Sequence, residues 1–477
     1  MVPYNLMHLL PEIFLLTAGC VILLVDVFSK DLDRNLTYRL SQLALLATAI
    51  ICMVQFPSVQ YHLYERHFIL DPMAGIIKIS VIFLTMLALL FARPYILPRR
   101  ILRGEYYLLH LFAVLGMMVL VSGGSLLTLY LGLELLSLSL YALVAMQRHS
   151  YRAAEAAVKY FVMGAIASGF LLYGMSLVYG VTQQIHLTDI SNYIATNDPN
   201  LTLRFGLVFI VVAIGFKFGA VPFQMWVPDV YDGAPTSTTA FLSSAPKVAA
   251  FGFMVRIFAY GFIGALVDWQ GLLIILACLS MLIGNIVALV QNNLKRLLAY
   301  SAIAHMGYFL LGALTGTAEG FAASFFYILA YSIMSLGGFG CLIYLGKGVE
   351  DVKSLDQLKG LGRSNPWGGL LISVLFLSMA GLPPFIGFWA KLEVFLAVLN
   401  AGFVWLAVFA AVMSIIGLFY YLKVVKVIFF DESEKEDKIV AVRGLRLGLG
   451  ITSLSVVALG LFPGKLMQLC AQAFEYL

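Results

Sequence analysis

Apolar runs long enough to cross a bilayer recur along this chain from residue 9 almost to its end, separated by short charged or Gly/Pro-rich breaks. A helix needs about 20 apolar residues to span the hydrocarbon. The runs predict helices near 9–28, 36–56, 71–92, 106–122, 126–147, 157–180 and 203–222. Further ones follow near 237–263, 270–290, 297–316, 319–345, 368–399, 402–430 and 446–467. The pattern is that of an all-α integral membrane protein with about 14 transmembrane helices. No segment between the runs is long enough to build a soluble core. The first run is read as a retained helix rather than a secretory signal, because it is long, lacks a basic start and carries Pro11, Glu12 and Asp26 around its ends. The polar stretch from Glu432 to Asp437 reads as a solvated loop before the last run.

Composition agrees: 61% of the 477 residues are hydrophobic and only 12% charged, against roughly a quarter charged in soluble domains. Loops after the odd-numbered runs hold 22 of the 30 lysines and arginines, and the opposite side holds only Arg66, Arg204 and Lys465. The positive-inside rule then puts both termini outside the cytoplasm, on the periplasmic side of a bacterial inner membrane. The net charge of +5 follows from this asymmetry and implies no nucleic-acid partner. Cys20, Cys52, Cys278, Cys341 and Cys470 form no CxxC pair, so they read as packed thiols and suggest neither a disulfide framework nor an iron-sulfur site.

The seventh and twelfth runs share a pattern, Gly219-Ala-Val-Pro222-Phe and Gly381-Leu-Pro383-Pro384-Phe, followed by Trp226 and Trp389. Proline removes a backbone donor and clashes with the preceding turn, so both helices are expected to break part-way across. The freed backbone groups must then face protein or water, because lipid cannot satisfy them. The motifs lie 162 residues and five helices apart. Five is odd, so one copy is inverted relative to the other, the arrangement that marks transport sites built from inverted repeats.

Five basic residues fall inside the runs: Lys78, Lys217, Lys247, Arg256 and Lys391. A charge at a helix centre costs roughly 2.5–3.5 kcal/mol on insertion scales, so Glu134, Lys217, Lys247 and Lys391 together cost on the order of 10 kcal/mol, comparable with a domain's whole stability. Such charges need partners or water. Lys217 is the natural first partner for Glu134, and burial and a nearby carboxylate act on a lysine in opposite senses, which lets it exchange protons near neutral pH. Lys247 follows Pro246 in a hydroxyl-rich run, Thr236 to Ser244, which can hold a chain of water. His305 could bridge Lys247 to Lys391. Lys159, Lys295 and Arg296 sit at helix ends, where topology explains them, and Lys78 and Arg256 have no obvious partner. The seven histidines are isolated, and no phosphate loop or nucleophile elbow is present, so redox or hydrolytic chemistry is not indicated.

The segment Lys217-Phe-Gly-Ala-Val-Pro222-Phe-Gln-Met-Trp226-Val-Pro228, continuing through Pro235 to Lys247, resembles the signature of the antiporter-like membrane subunits of respiratory complex I, and within them subunit N rather than M or L. Asn293-Leu-Lys295-Arg-Leu-Leu-Ala-Tyr-Ser301 and Gly381 to Lys391 match as well, and the resemblance covers essentially the whole chain. It implies a fourteen-helix subunit of the proton-translocating NADH-quinone oxidoreductase, with a proton path carried over to Glu134, Lys217, Lys247 and Lys391. The implied organisation is N-terminal helices over 1–104, inverted repeats over 105–265 and 266–430, and a loop with the last helix over 431–477. Lys217 precedes its proline whereas Lys391 follows its own, a departure from strict internal symmetry.

The resemblance also implies other complex I membrane subunits, including antiporter-like and small ones, a peripheral redox arm and lipids as partners. FMN, iron-sulfur clusters, NADH and quinone are expected in those partners, and no cofactor on this chain. The competing readings are a membrane subunit of a cation/proton antiporter or membrane-bound hydrogenase, and a membrane scaffold that moves nothing.

Overall fold

The computed structural model describes residues 6–31, 33–99, 101–346, 351–432 and 443–475, so the charged loop beyond Glu432 lies outside the described residues. The crossings in chain order are α1 (Leu10–Phe28), α2 (Asn35–Val54), α3 (Pro72–Ile96), α4 (Gly104–Val121), α5 (Leu126–Val144), α6 (Tyr151–Thr182) and α7, split into α7a (Leu201–Phe218) and α7b (Trp226–Gly233). They continue with α8 (Thr236–Gly261), α9 (Leu266–Leu289), α10 (Leu294–Ala313), α11 (Ala318–Leu345), α12a (Pro366–Ala380), α12b (Ile386–Asn400), α13 (Val404–Phe429) and α14 (Arg443–Leu461). Twelve helices are each long and apolar enough to cross a membrane. With α10 and the two halves of α12, the described residues make the fourteen crossings expected.

Polar residues set the helix starts by taking over amides that lack a partner in the first turn. Asp71 accepts from the Ala74 amide at 2.9 Å ahead of Pro72, and Asn200, Asn293 and Asn365 cap α7a, α10 and α12a in the same way. A small hairpin, β1 (Tyr61–Leu63) against β2 (Phe68–Leu70), joins α2 to α3.

At the centre stand α8 and α11: all of the apolar window of α8 and 94% of that of α11 are buried, against 33% for α1. The hydroxyl-rich start of α8 is therefore enclosed in protein and never meets lipid. Pro246 lacks an amide hydrogen, and α8 is interrupted at Ser243–Ser244 just ahead of it. The helix closes on a π-helical turn, Arg256–Gly261.

Both broken helices stop by the same device. Gly219 (φ +66°) and Gly381 (φ +87°) adopt the left-handed conformation that only glycine takes without strain. The amides of Gly219 and Ala220 fold back to Phe216 and Gly215, and those of Gly381 and Leu382 to Ser378 and Leu377, the hydrogen-bond pattern of a Schellman stop. Pro222 and Pro384 follow, and new helices begin at Trp226 and Ile386.

Two buried charges left without partners in the sequence find them here. Arg256, fully buried, makes a bidentate pair with Asp71 (2.6 and 2.8 Å), donates to Val121 O and shares Asp71 with the Tyr260 hydroxyl. Lys78 meets Glu12 at 2.6 Å. Removing one partner of such a pair costs about 3–5 kcal/mol, because the other charge is left buried alone. These two pairs pin α3 to α8 and to α1.

Candidate functional site

On α5, Glu134 is half-buried and accepts a short hydrogen bond from the Ser168 hydroxyl of α6. It makes no ion pair with Lys217 among the described residues. Instead, Lys217 Nζ donates to Ser137 Oγ at 2.7 Å, one helical turn along α5 from Glu134. The expected direct contact is thus replaced by an indirect one: Glu134 and the hydroxyl that holds Lys217 lie one turn apart on α5.

Lys247 Nζ donates to the carbonyls of Lys217 (3.0 Å) and Phe218 (2.8 Å), the last residues of α7a. Those carbonyls have no partner within their own helix, and they form the negative end of its dipole. The second break repeats the motif: Lys391 Nζ donates to Ala380 O, the last residue of α12a, at 2.8 Å, and to Ser414 Oγ at 2.9 Å. Each interrupted helix is therefore closed by a buried lysine ammonium. The two lysines are not equivalent positions in the repeats, since inversion keeps chain order, but the runs cross in opposite directions. Lys217 before its break and Lys391 after its break both lie on the half-helix nearer the face away from the basic loops.

A cavity of about 20 Å³ lies between Ser137, Lys217, Lys247, Tyr160 and Trp226, room for a single water with polar partners on several sides. Trp226 lines it as well, with Lys247 Nζ 5.3 Å from the centre of its ring and Tyr160 stacked on it.

His305 reaches neither lysine directly. Its Nδ1 pairs with the Tyr327 hydroxyl at 2.7 Å and its Nε2 with the Tyr421 hydroxyl at 2.9 Å. Tyr421 also binds Ser301. From there Tyr420, packed on Tyr421, donates to Asn285, and the Asn285 amide donates to the Tyr308 hydroxyl at 3.2 Å. The Tyr308 ring lies 5.2 Å from Lys391 Nζ. On the other flank, the Tyr331 ring packs against His305, and its neighbour Ser332 donates to the carbonyl of Ser244, three residues before Lys247. Polar side chains therefore run from His305 toward Lys391 through tyrosines that the sequence did not single out, while ring packing and one backbone carbonyl make the flank toward Lys247.

Of the remaining basic residues, Lys159 binds Asp229 and Glu155, and Arg296 binds Asp229. Lys295 binds Asp351 and the carbonyl of Ala234. Cys52, Cys341 and Cys470 are buried and Cys278 partly so, as packed thiols should be, whereas Cys20 is exposed.

Residues 123–417 match the family described as NADH:quinone oxidoreductase/Mrp antiporter, TM. NADH-quinone oxidoreductase subunit N of Thioalkalivibrio sulfidiphilus (strain HL-EbGR7) is 46% identical over 474 residues, 99% of both chains. That of Laribacter hongkongensis (strain HLHK9) is 48% identical over 472 residues, 98% of this chain and 97% of its own. The chain belongs to the NADH-quinone oxidoreductase subunit N family. A chain of respiratory complex I from Thermus thermophilus with bound aureothin superposes with a TM-score of 0.82 at 30% identity, over 97% of this chain and 99% of that one. A chain of the Mrp complex from Dietzia sp. DQ12-45-1b gives 0.87 over 99% and 97%, and at 23% identity it speaks to the fold alone.

For this subunit N family member, the sequence named Glu134, the three lysines, His305 and both breaks as candidates, and the fold sets the three lysines at or beside the breaks. It missed Ser137, Ser168, Tyr308, Tyr327, Tyr421 and Asn285. Neutral hydroxyl and amide groups inside apolar runs look like packing until the fold sets them edge to edge.

Proposed function

We propose that this chain is the proton-translocating, antiporter-like membrane subunit of a bacterial NADH-quinone oxidoreductase, in which electron transfer from NADH to quinone drives protons along Glu134, Lys217, Lys247, His305 and Lys391. The observation that carries the reading is the pair of interrupted helices, each closed by a buried lysine, with His305 and its tyrosines between them. An ionised Glu134 attracts a protonated Lys217. Moving or neutralising Glu134 frees that proton for Lys247 across the small cavity, and His305 with its tyrosines relays charge toward Lys391. Segments 105–265 and 266–430 act as the two half-channels, and Pro222, Pro383 and Pro384 keep the helix breaks open. The stand-alone antiporter or hydrogenase reading is less well supported, since full-length likeness at 46–48% identity is to subunit N.

As a subunit of that complex, the chain works beside other membrane subunits and the peripheral redox arm, within lipid. Flavin, iron-sulfur clusters and the NADH and quinone sites belong to the partners. Among the described residues no three His, Cys, Asp or Glu gather as metal ligands. In this reading the purified chain is expected to show no stoichiometric visible absorption, and a haem, flavin or iron-sulfur spectrum on it alone would refute this assignment. Co-purification with flavin and iron-sulfur subunits, together with NADH-driven proton uptake, tests the function itself.

Both termini lie on the periplasmic side in this reading, motivated by the basic asymmetry of the loops. In intact cells, an impermeant thiol reagent is expected to label a cysteine placed at Asp198, between α6 and α7a, and to spare one at Asp356, between α11 and α12a. Both sites are exposed. The reverse labelling pattern would overturn the orientation.

A further inference from the structure

A polar cleft of about 450 Å³ opens on the face of the basic loops, lined by Tyr95, Arg99, Asp232, Lys295, Asp351 and Lys353 among others. Behind its lining, Asp351 holds the first residue of α8, Thr236, where the enclosed hydroxyl run begins. The cleft centres on one carboxylate. Asp351 Oδ2 accepts from the Thr236 hydroxyl (2.8 Å) and the Tyr95 hydroxyl (3.0 Å) and meets Lys295 Nζ at 3.2 Å, while Oδ1 accepts from Arg99 at 3.0 Å. The Tyr95 hydroxyl in turn accepts from the Thr236 amide at 3.1 Å. One side chain from the segment after α11 thereby gathers donors from α3, α8 and α10, and so joins the two repeats at the mouth of the hydroxyl run. One step further in, Ser237 Oγ accepts from the buried Tyr106 hydroxyl at 3.0 Å.

We propose that this cleft is the proton inlet of the relay and that Asp351 is its positioning residue, holding the Thr236 hydroxyl at the mouth and offsetting the positive charge there. The inference rests on the relay reading above. The charges around Asp351 are Arg99 just beyond α3, Lys295 from α10, Lys353 from its own segment and, elsewhere in the cleft lining, Arg152 from the start of α6 and Asp232 from the end of α7b. Burial works against ionisation of Asp351, but Lys295, the Thr236 hydroxyl, Arg99 and Tyr95 overcome it and hold the carboxyl below the usual carboxylate range. A depressed value means the clamp is fully present above the ordinary carboxylate range and lost only as pH falls through the lowered one. Across the physiological range Asp351 is therefore an anion. Without it, Arg99 and Lys295 would leave a strongly positive mouth, and a charged cleft changes the arrival rate of an ion by one to three orders of magnitude.

The test uses the whole complex in sealed vesicles, with proton translocation per electron pair measured as a function of pH on the inlet side. Asp351→Asn is expected to slow uptake on the order of tenfold, with the deficit deepening as the pH rises above neutral and protons become scarce, and Asp351→Glu is expected to restore most of it. A deficit equal at every pH, or none, overturns the inlet assignment. Should Asp351→Asn fail to assemble, Lys353→Cys can be modified after assembly. A positively charged thiol reagent should then lower pumping less than fivefold relative to a negatively charged one only if the inlet lies elsewhere, and a larger difference in that direction supports it. Lys217→Ala in the same vesicles separates the two ideas: if it pumps fully at all pH values, the relay reading has failed, whatever Asp351 does.

Discussion

In vesicles holding the assembled complex, Glu134→Gln is expected to abolish proton transfer through this subunit while the complex still assembles and oxidises NADH. Glutamine keeps the length of the side chain and an oxygen that can accept from Ser168, so the hydrogen bond to α6 survives and only the charge is lost. Charges roughly 6–8 Å apart, about one helical turn, interact by on the order of 2 kcal/mol at an effective dielectric near 20. That is enough to decide where a proton rests between two lysines and, because it acts through space along α5, it does not require the direct contact that is absent between Glu134 and Lys217. Glu134→Asp should keep part of the activity, since the charge stays but draws back from Ser168. Pumping at full yield in Glu134→Gln would remove this carboxylate from the mechanism.

Lys391→Ala is the second large effect. It takes away the ammonium that closes α12a at Ala380 and binds Ser414. The structural loss is a single carbonyl without its partner, roughly 1–3 kcal/mol, and the rest of α12b keeps its packing, so assembly should persist. The functional loss should be far greater, because a positioned proton-transfer group is worth on the order of 10²–10⁴-fold in the step it serves. Subunit content in the purified complex and proton yield per electron pair read the two separately. Failure to assemble would make Lys391 a structural cap and nothing more.

Most of the helix set was legible because lipid-spanning runs are long and their breaks are charged. The splits in α7 and α12 were legible too, since proline after glycine has few other readings. The hairpin Tyr61–Leu70 and the short helix Leu187–Thr196 were not, for segments of three to ten residues carry too few periods to stand out. At the site, the anomaly of buried charge singled out residues that the fold buries or half-buries, but it did not name their partners. Asp71 and Arg256 lie 185 positions apart, and no local pattern links them. Glu134 and Lys217 were read as a contact pair because opposite charges in an apolar medium attract. The fold instead gives Lys217 a hydroxyl from α5, one turn from Glu134, and gives Glu134 another from α6. Asp351 carries no local sequence signal, and only the convergence of α3, α8 and α10 on it sets it apart.

The most direct test of a relay through Lys217 is proton translocation per electron pair in the intact complex carrying Lys217→Arg. Arginine keeps the positive charge and can still donate to Ser137, but it does not release a proton near neutral pH. The expected result is normal assembly and NADH-to-quinone electron transfer, with the proton yield reduced as far as in Lys217→Ala. A yield equal to that of the unaltered complex would contradict any mechanism in which Lys217 takes up and passes on a proton.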